Sequence, residues 1–361
     1  ERVCIETFAP VTDEFVSNRE ISILPFVPHN IDERATEILK LQAAGLAGRL
    51  KKINCKNVVI GISGGLDSTL ALIVAAEAFN INGLDTKGIH AITMPFYGTI
   101  DRTLNNAKKL MELLNVTSYE INIKDACEQH YKDIGHDKSN LDVTFENVQA
   151  RERTQILMDI SNKIGGLVVG TGDLSELALG WCTYNGDQMS MYGVNASIPK
   201  TLVRGILESY AQHHNELRET LLDICDTPVS PELLPPNEDG TIKQKTEDKI
   251  GSYVIHDFIL YYMQRHGFGP RKIFDLYINA KTMHEKKMGV ENPVIDKADV
   301  LKNMEIFYNR FWTQQFKRSC MPDGVKVGSV SLSPRGDWRM ASDACQSIWI
   351  DELNELKNII K

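Results

Sequence analysis

Ser63-Gly64-Gly65-Leu66-Asp67-Ser68 follows directly on a short β-branched run, Val58-Val59-Ile60-Gly61-Ile62, and leads into an apolar stretch of helical character. Two adjacent glycines let a backbone turn with its N–H groups facing inward, and the start of the next helix adds partial positive charge. Together they form a cradle for phosphate, to which the hydroxyls of Ser63 and Ser68 can donate further bonds. Asp67 would repel such an anion unless it carries a cation that bridges to the phosphates. Magnesium, held by one or two carboxylates plus phosphate oxygens, meets that need. A bare Gly-Gly would be a mere strand-to-helix turn. The buried strand before it, the flanking serines and the embedded acid favour a phosphate loop. A Walker lysine and a G-x-G-x-x-G are both missing, so this is neither a kinase-type P-loop nor a dinucleotide fingerprint.

The elements that must hold this loop alternate. Ile31, Ala35, Ile38, Leu39, Gln42, Leu46 and Leu50 fall near a 3.6-residue period, with Asn30 as N-cap. Strands are expected at Val58–Ile62, Gly88–Met94, Tyr119–Ile123 and Leu167–Val169, and helices at Ser68–Phe79, Asp101–Leu114 and Glu146–Ile164. Strands separated by helices of this length imply right-handed crossovers and a doubly wound parallel α/β sheet covered by helices on both faces. Ligands on such sheets sit beyond the carboxyl ends of the strands. After about residue 200 the chain reads as mostly helical, broken at Pro228–Pro236 and followed by a Gly-rich basic tail, Lys317–Arg339. The expected organisation is an arm or linker over residues 1–29, one domain over 30–345 and a terminal helix over 346–361.

Composition sets the outer bounds. The 361 residues, 42% hydrophobic and 24% charged, are those of an ordinary globular protein, and a net charge of -8 speaks against a nucleic-acid binder. The seven cysteines are odd in number and without C-x-x-C spacing, which favours reduced thiols and a cytoplasmic location over a disulfide framework. No run reaches membrane-spanning length and the N-terminus lacks the layout of a signal peptide. The sequence begins at Glu1 without methionine, as a processed or truncated chain would.

S-G-G-x-D-S after a first strand resembles the loop of the N-type ATP pyrophosphatases, of the adenine nucleotide α-hydrolase-like fold. These enzymes cleave ATP between the α and β phosphates and leave AMP on an acceptor oxygen. Within that group, Gly170-Thr171-Gly172-Asp173-Leu174-Ser175-Glu176, running on through Trp181, Tyr184, Asp187, Asn195 and Pro199 to Lys200-Thr201, is similar to the NAD synthetases, in the longer form fused to a glutaminase. Met94-Pro95, Glu146-Asn147-x-x-Ala150-Arg151, Phe316-Lys317-Arg318 and Arg335-Gly336-Asp337-Trp338-Arg339 fit as well, so the resemblance spans about residues 30–345.

This resemblance implies an ATP site formed by Gly61 through Ser68 (including Ile62 and Leu66), Met94, Thr171 and Lys200. Asp67 and Glu176 are the expected magnesium carboxylates, and Lys200 would neutralise charge on the leaving pyrophosphate. Asn147 and Arg151, one helical turn apart, share a face that would meet deamido-NAD together with Glu176, Asp187 and Lys317. Trp181 and Tyr184 either stack on the pyridine ring or belong to the core. Asp187 and Asp173 both stand open for the task of deprotonating or orienting ammonium. The implied reaction activates the pyridine carboxylate as an acyl-adenylate and amidates it with ammonia, giving NAD, AMP and pyrophosphate. The same resemblance implies a homodimer, and a glutaminase as ammonia source in a domain before Glu1 or in another chain. None of the cysteines has a glutaminase context, so ammonium rather than glutamine is the expected substrate of this polypeptide. Two rivals are another amidotransferase synthetase such as GMP synthetase, against which the GTGDLSE segment speaks, and a non-catalytic nucleotide sensor, which would not need both Asp67 and Glu176.

Overall fold

The computed structural model describes residues 17, 19–228, 233 and 246–360. The described chain opens with a segment of bends and turns and then α1 (Ile31–Lys52). There follow β1 (Val58–Gly61), α2 (Leu66–Asn82), β2 (Ile89–Thr93), α3 (Asp101–Leu113), β3 (Thr117–Glu120), α4 (Lys124–Asp133), α5 (Val143–Ile164), β4 (Leu167–Gly170), α6 (Leu174–Leu179) and β5 (Tyr192–Gly193). The rest is helical: α7 (Lys200–His213), α8 (Asn215–Cys225), α9 (Thr246–Ile250), α10 (Tyr253–His266), α11 (Pro270–Lys287), α12 (Lys297–Thr313), α13 (Gln315–Arg318) and α14 (Ser347–Ile360).

The five strands form a parallel sheet in the order β3-β2-β1-β4-β5, with Val58 opposite Ile89 on one side and Leu167 on the other. Alternate residues of one strand go to different cores. Val58, Ile60, Ala91, Leu167 and Val169 pack under α1, α2, α7 and α8, while Val59, Ile92 and Val168 pack under α4 and α5. A strand buried on both faces needs continuous apolar sequence, which explains the uninterrupted Val-Val-Ile of β1 and Leu-Val-Val of β4. A third core joins α6 to α10, α11, α12 and α14 and takes in Ile23 of the arm.

The chain leaves β1 toward β2 and β3, then returns through α5 to place β4 on the other side of β1. This reversal opens a crevice at the carboxyl ends of β1 and β4, where open α/β sheets bind ligands. Several expected boundaries move. β3 ends at Glu120 rather than Ile123: Ile121 N makes a last bond to Thr93 O at 2.9 Å, and Asn122 then accepts from Lys124 N at 2.8 Å as the chain enters α4. α5 starts three residues early, since Asp142 caps it by accepting from the N–H groups of Thr144 and Phe145 at 2.8 and 3.1 Å. Asn30 occupies the N-cap position of α1, but its side chain donates to Glu33 at 3.0 Å instead of accepting from the helix. Of the arm, residues 1–16 and 18 lie outside the described residues. Its remainder is packed, with Phe26 edge-on to Tyr261 and Ser17 N bonded to Asn279 at 2.9 Å.

Candidate functional site

The loop after β1 is drawn tight by its own serines. Ser63 N and Gly65 N donate to the hydroxyls of Ser68 and Ser63 at 3.3 and 3.2 Å, and Ser68 Oγ donates to Gly65 O at 3.2 Å. Ser68 therefore stands inside the first turn of α2, which starts at Leu66, two residues earlier than expected. Gly64 is left-handed at φ +84°, and a Cβ there would lie 2.2 Å from the carbonyl oxygen of Thr103. Only glycine combines that dihedral with that approach. Ile62 is buried and donates to Ile92 O at 2.8 Å, which ties the loop to β2, and Met94 lies one residue beyond the end of β2.

Across the crevice, Gly170-Thr171-Gly172 leads from β4 into α6. Asn195, fully buried, clamps the two loops by donating to Asp67 O at 2.9 Å and Thr171 O at 3.1 Å. Its own oxygen accepts from Gln42 of α1 at 3.1 Å. Thr171 is thus brought beside Asp67, as adjacent parallel strands require.

Between the loops lies a group of three carboxylates and one ammonium. Lys200 Nζ is 2.5 Å from Asp67 Oδ2, 2.8 Å from Asp173 Oδ2 and 3.0 Å from Glu176 Oε1. Lys200 is 5% and Asp173 0% exposed, whereas Asp67 and Glu176 keep 21% and 23% of their side chains at the surface. Asp173 also caps α6, accepting from Glu176 N at 2.8 Å. Burial pushes the carboxyl of Glu176 up to about 7 and that of Asp173 well above its usual range, against the pull of Lys200. Burial works to lower the lysine, but Asp173, Asp67 and Glu176 together hold it well above the ordinary lysine range.

Oxygens of the three carboxylates lie within 4.8 Å of one another, a donor set suited to a hard divalent cation. Asp67 Oδ1 is buried and has no hydrogen-bond partner among the described residues, which leaves it free for such an ion. The residues therefore fit magnesium, with Asp173 as a third carboxylate beside the expected Asp67 and Glu176.

A small depression opens next to this group, lined among others by Glu176, Cys182, Asp187, Gln188, Ser190 and Pro322. Asp187 stands on its wall, accepting from Thr183 N at 2.7 Å, and makes no bond to Lys200. Of the four residues expected to be catalytic, three are joined directly and Asp187 is set apart. Asn147 accepts from Thr183 Oγ1 at 2.7 Å and Arg151 donates to Tyr184 O at 3.3 Å, so their shared helix face does look onto this loop. Trp181 carries the Arg310 guanidinium 5.2 Å above its ring and packs on the α6–α10 core. The Tyr184 ring leans on Phe316, with its hydroxyl 3.4 Å from Cys320 Sγ. Lys317 donates to the carbonyls of Gly180 and Cys182 at 2.8 and 2.7 Å.

The family described as NAD synthase matches residues 38–290, more than two thirds of the sequence. The chain belongs to the NAD synthase family. It is 43% identical over 357 residues to the glutamine-dependent NAD(+) synthetase of Mycobacterium leprae, covering 93% of this chain and 52% of that protein. To the enzyme of the same name from Mycobacterium tuberculosis H37Rv it is 42% identical over 355 residues, with the same coverage. The chain thus spans about half the length of the curated relatives it matches. A crystal structure of a glutamine-dependent NAD(+) synthetase from Cytophaga hutchinsonii shares the fold, with a TM-score of 0.70 at 19% identity over 90% of this chain and 56% of that one. No helix among the described residues is long and apolar enough to cross a membrane.

Sequence reasoning missed several groups in this family member. Asn195 stood within the quoted segment, but only tertiary structure gives its clamp role. Asp257 and Tyr253, which surround Lys200 from α10, carry no motif at all.

Proposed function

We propose that this chain carries out the ATP-dependent amidation of deamido-NAD to NAD through an acyl-adenylate, with ammonia as nitrogen donor and magnesium as cofactor. The observation that carries the reading is the joining of Asp67, Asp173, Glu176 and Lys200 beside the Ser63–Ser68 loop at the sheet's switch point.

The Gly64-Gly65 turn and the first-turn N–H groups of α2 receive the β and γ phosphates. A divalent ion on Asp67 and Glu176 supplies charge neutralisation for those phosphates when bound. The pyridine carboxylate oxygen attacks the α-phosphorus, the bond to the bridging oxygen breaks, and pyrophosphate leaves with that electron pair. Lys200 turns from its carboxylates toward the reacting phosphate and stabilises the charge that develops there. Ammonia then attacks the acyl carbon, AMP departs, and the excess proton passes to a carboxylate. Asp187, which lines the depression away from the metal carboxylates and whose carboxyl burial raises above its ordinary range, is the acid placed to take it. The dinucleotide binds at the depression, which Asp187 lines, and along the loop after α6, which holds Trp181 and Tyr184 and is contacted by Asn147, Arg151 and Lys317. As in the sequence reading, the active species is a homodimer, and in a longer protein a glutaminase part supplies the ammonia.

The test is a product assay with deamido-NAD, ATP, magnesium and either ammonium chloride or glutamine. NAD, AMP and pyrophosphate should form from ammonium and only with the metal. ADP with orthophosphate would reject the adenylation chemistry, and NAD made from glutamine by this polypeptide alone would reject the choice of ammonia.

A further inference from the structure

α7 begins without a cap of its own. Its N-cap residue is Pro199, which has no side-chain oxygen for the first-turn N–H groups, whereas Ser, Thr, Asp or Asn ordinarily accept there. The missing acceptors come from elsewhere in the chain. Thr201 donates from N and from Oγ1 to Asp257 Oδ2 at 3.0 and 2.7 Å. Lys200 N donates to Ser175 Oγ at 2.8 Å, and Ser175 Oγ in turn donates to Asp257 Oδ1. Asp257 belongs to α10, 56 residues beyond Thr201, and both it and Ser175 are 1% exposed.

A local cap would stabilise α7 as well without burying a fourth acid near the other three. What the distant cap achieves beyond stability is placement. Both oxygens of one buried carboxylate fix the backbone of Lys200 and Thr201, while Ser175 fixes the start of α6 one residue before Glu176. One turn earlier on α10, the ring of Tyr253 lies 5.3 Å from Lys200 Nζ. α10 thereby holds Lys200 at both ends, backbone and ammonium.

We propose that Asp257 is a positioning residue of the adenylation step: acting from α10 through Ser175 and the first turn of α7, it sets the place of the Lys200 ammonium. It touches no substrate, and the proposal rests on the role given to Lys200 above. A misplacement of about 1 Å at a reacting centre can cost on the order of 100-fold in rate, and Asp257 controls an error of that kind.

The test compares AMP formation by the full chain with ATP, magnesium, deamido-NAD and ammonium in Asp257→Asn, Ser175→Ala, Lys200→Met and the two double variants that contain Lys200→Met. Asp257→Asn and Ser175→Ala should each lower kcat by about 10- to 100-fold, with KM for ATP within about threefold of the parent. Each double variant should be no slower than Lys200→Met alone, because the effect passes through the ammonium that is already gone. A further multiplicative loss in the double variants would mark Asp257 as a structural residue only and overturn the proposal, as would unchanged kcat in both single variants. Should Asp257→Asn fail to fold, Ser175→Ala with its double variant decides the same question. Near-normal turnover by Lys200→Met is a separate result: it would reject the role of Lys200 itself, without any change at Asp257.

Discussion

Glutamine at position 176 should remove a pH dependence of stability that the glutamate imposes. Burial, against the pull of Lys200 and with the push of Asp67, moves the Glu176 carboxyl from 4.5 up to about 7. A carboxyl whose pKa rises on folding holds its proton more firmly in the folded state. Its contribution is therefore fully present below about 4.5 and is lost as the pH rises through about 7. At roughly 1.4 kcal/mol per pKa unit, the interval is worth at most about 3 kcal/mol. The 23% exposure of the side chain leaves some charge in water, so about 1–3 kcal/mol is the expected range. The measurement is urea unfolding of the parent and Glu176→Gln between pH 5 and 8, without nucleotide or divalent metal. The two proteins should be nearly equal at pH 5, and the variant should be the more stable by that amount at pH 8. Parallel curves across the range would refute the idea that burial outweighs Lys200 at this carboxyl. The same variant should lose magnesium-dependent AMP formation, so its gain in stability would come with a loss of chemistry, the trade expected where an acid is buried for function.

Three further outcomes bear on the site. Asp67→Asn should abolish AMP formation while the melting temperature stays within a few degrees of the parent, about 1 kcal/mol; near-normal turnover would remove Asp67 from the metal site. Gly64→Ala must move the loop away from Thr103 O and adopt a left-handed dihedral, so we expect about 1–3 kcal/mol of destabilisation and no measurable ATP cleavage. Unchanged ATP cleavage there would mean that the loop does not cradle phosphate. Arg318→Met should lower the urea midpoint by the equivalent of about 3 kcal/mol, because the buried guanidinium bonds the carbonyls of Leu177, Ala178 and Phe311. A shift below about 0.5 kcal/mol would show those carbonyls to be satisfied without it.

What could be read from the sequence was what lies close along it. The β1 loop is a local object: strand, glycines, serines and acid stand within eleven residues, Val58 to Ser68, and their order alone implies an anion cradle. The parallel sheet was legible for the same reason, since β1 and β4 are buried on both faces and carry unbroken apolar runs. β3 was placed two residues late because its Thr-Ser-Tyr-Glu is partly exposed at the sheet edge, where apolar pattern gives little guidance. Asp173 was visible in its segment, yet nothing local distinguishes a helix cap from a metal ligand, and it is placed to be both. Asp257 could not be found at all. Its partners Ser175, Thr201 and Lys200 lie 56 to 82 positions away, and an isolated Asp in an aromatic helix has no signature.

The short helix α6 shows why the two halves of the molecule must act together. Six residues are too few to be stable as an isolated helix, so both ends depend on other elements. At its N-terminus stand Asp173 and Glu176, the charges that a helix dipole favours there. At its C-terminus Arg318 binds the carbonyls of Leu177 and Ala178, Arg310 those of Leu179 and Gly180, and Lys317 that of Gly180 again. All three cations come from α12 and α13, and Gly180 closes the helix at φ +56° with a Cβ excluded by Gln314 at 2.3 Å. The acidic end therefore faces the phosphate loop while the basic contacts anchor the other end in the helical half. The place of Glu176 relative to Asp67 therefore rests on contacts from α12 and α13 as well as on the sheet. The helical half is in this sense part of the candidate site, although the residues it contributes to the depression are few. The resemblance to the NAD synthetases likewise continues past the sheet, through Phe316-Lys317-Arg318.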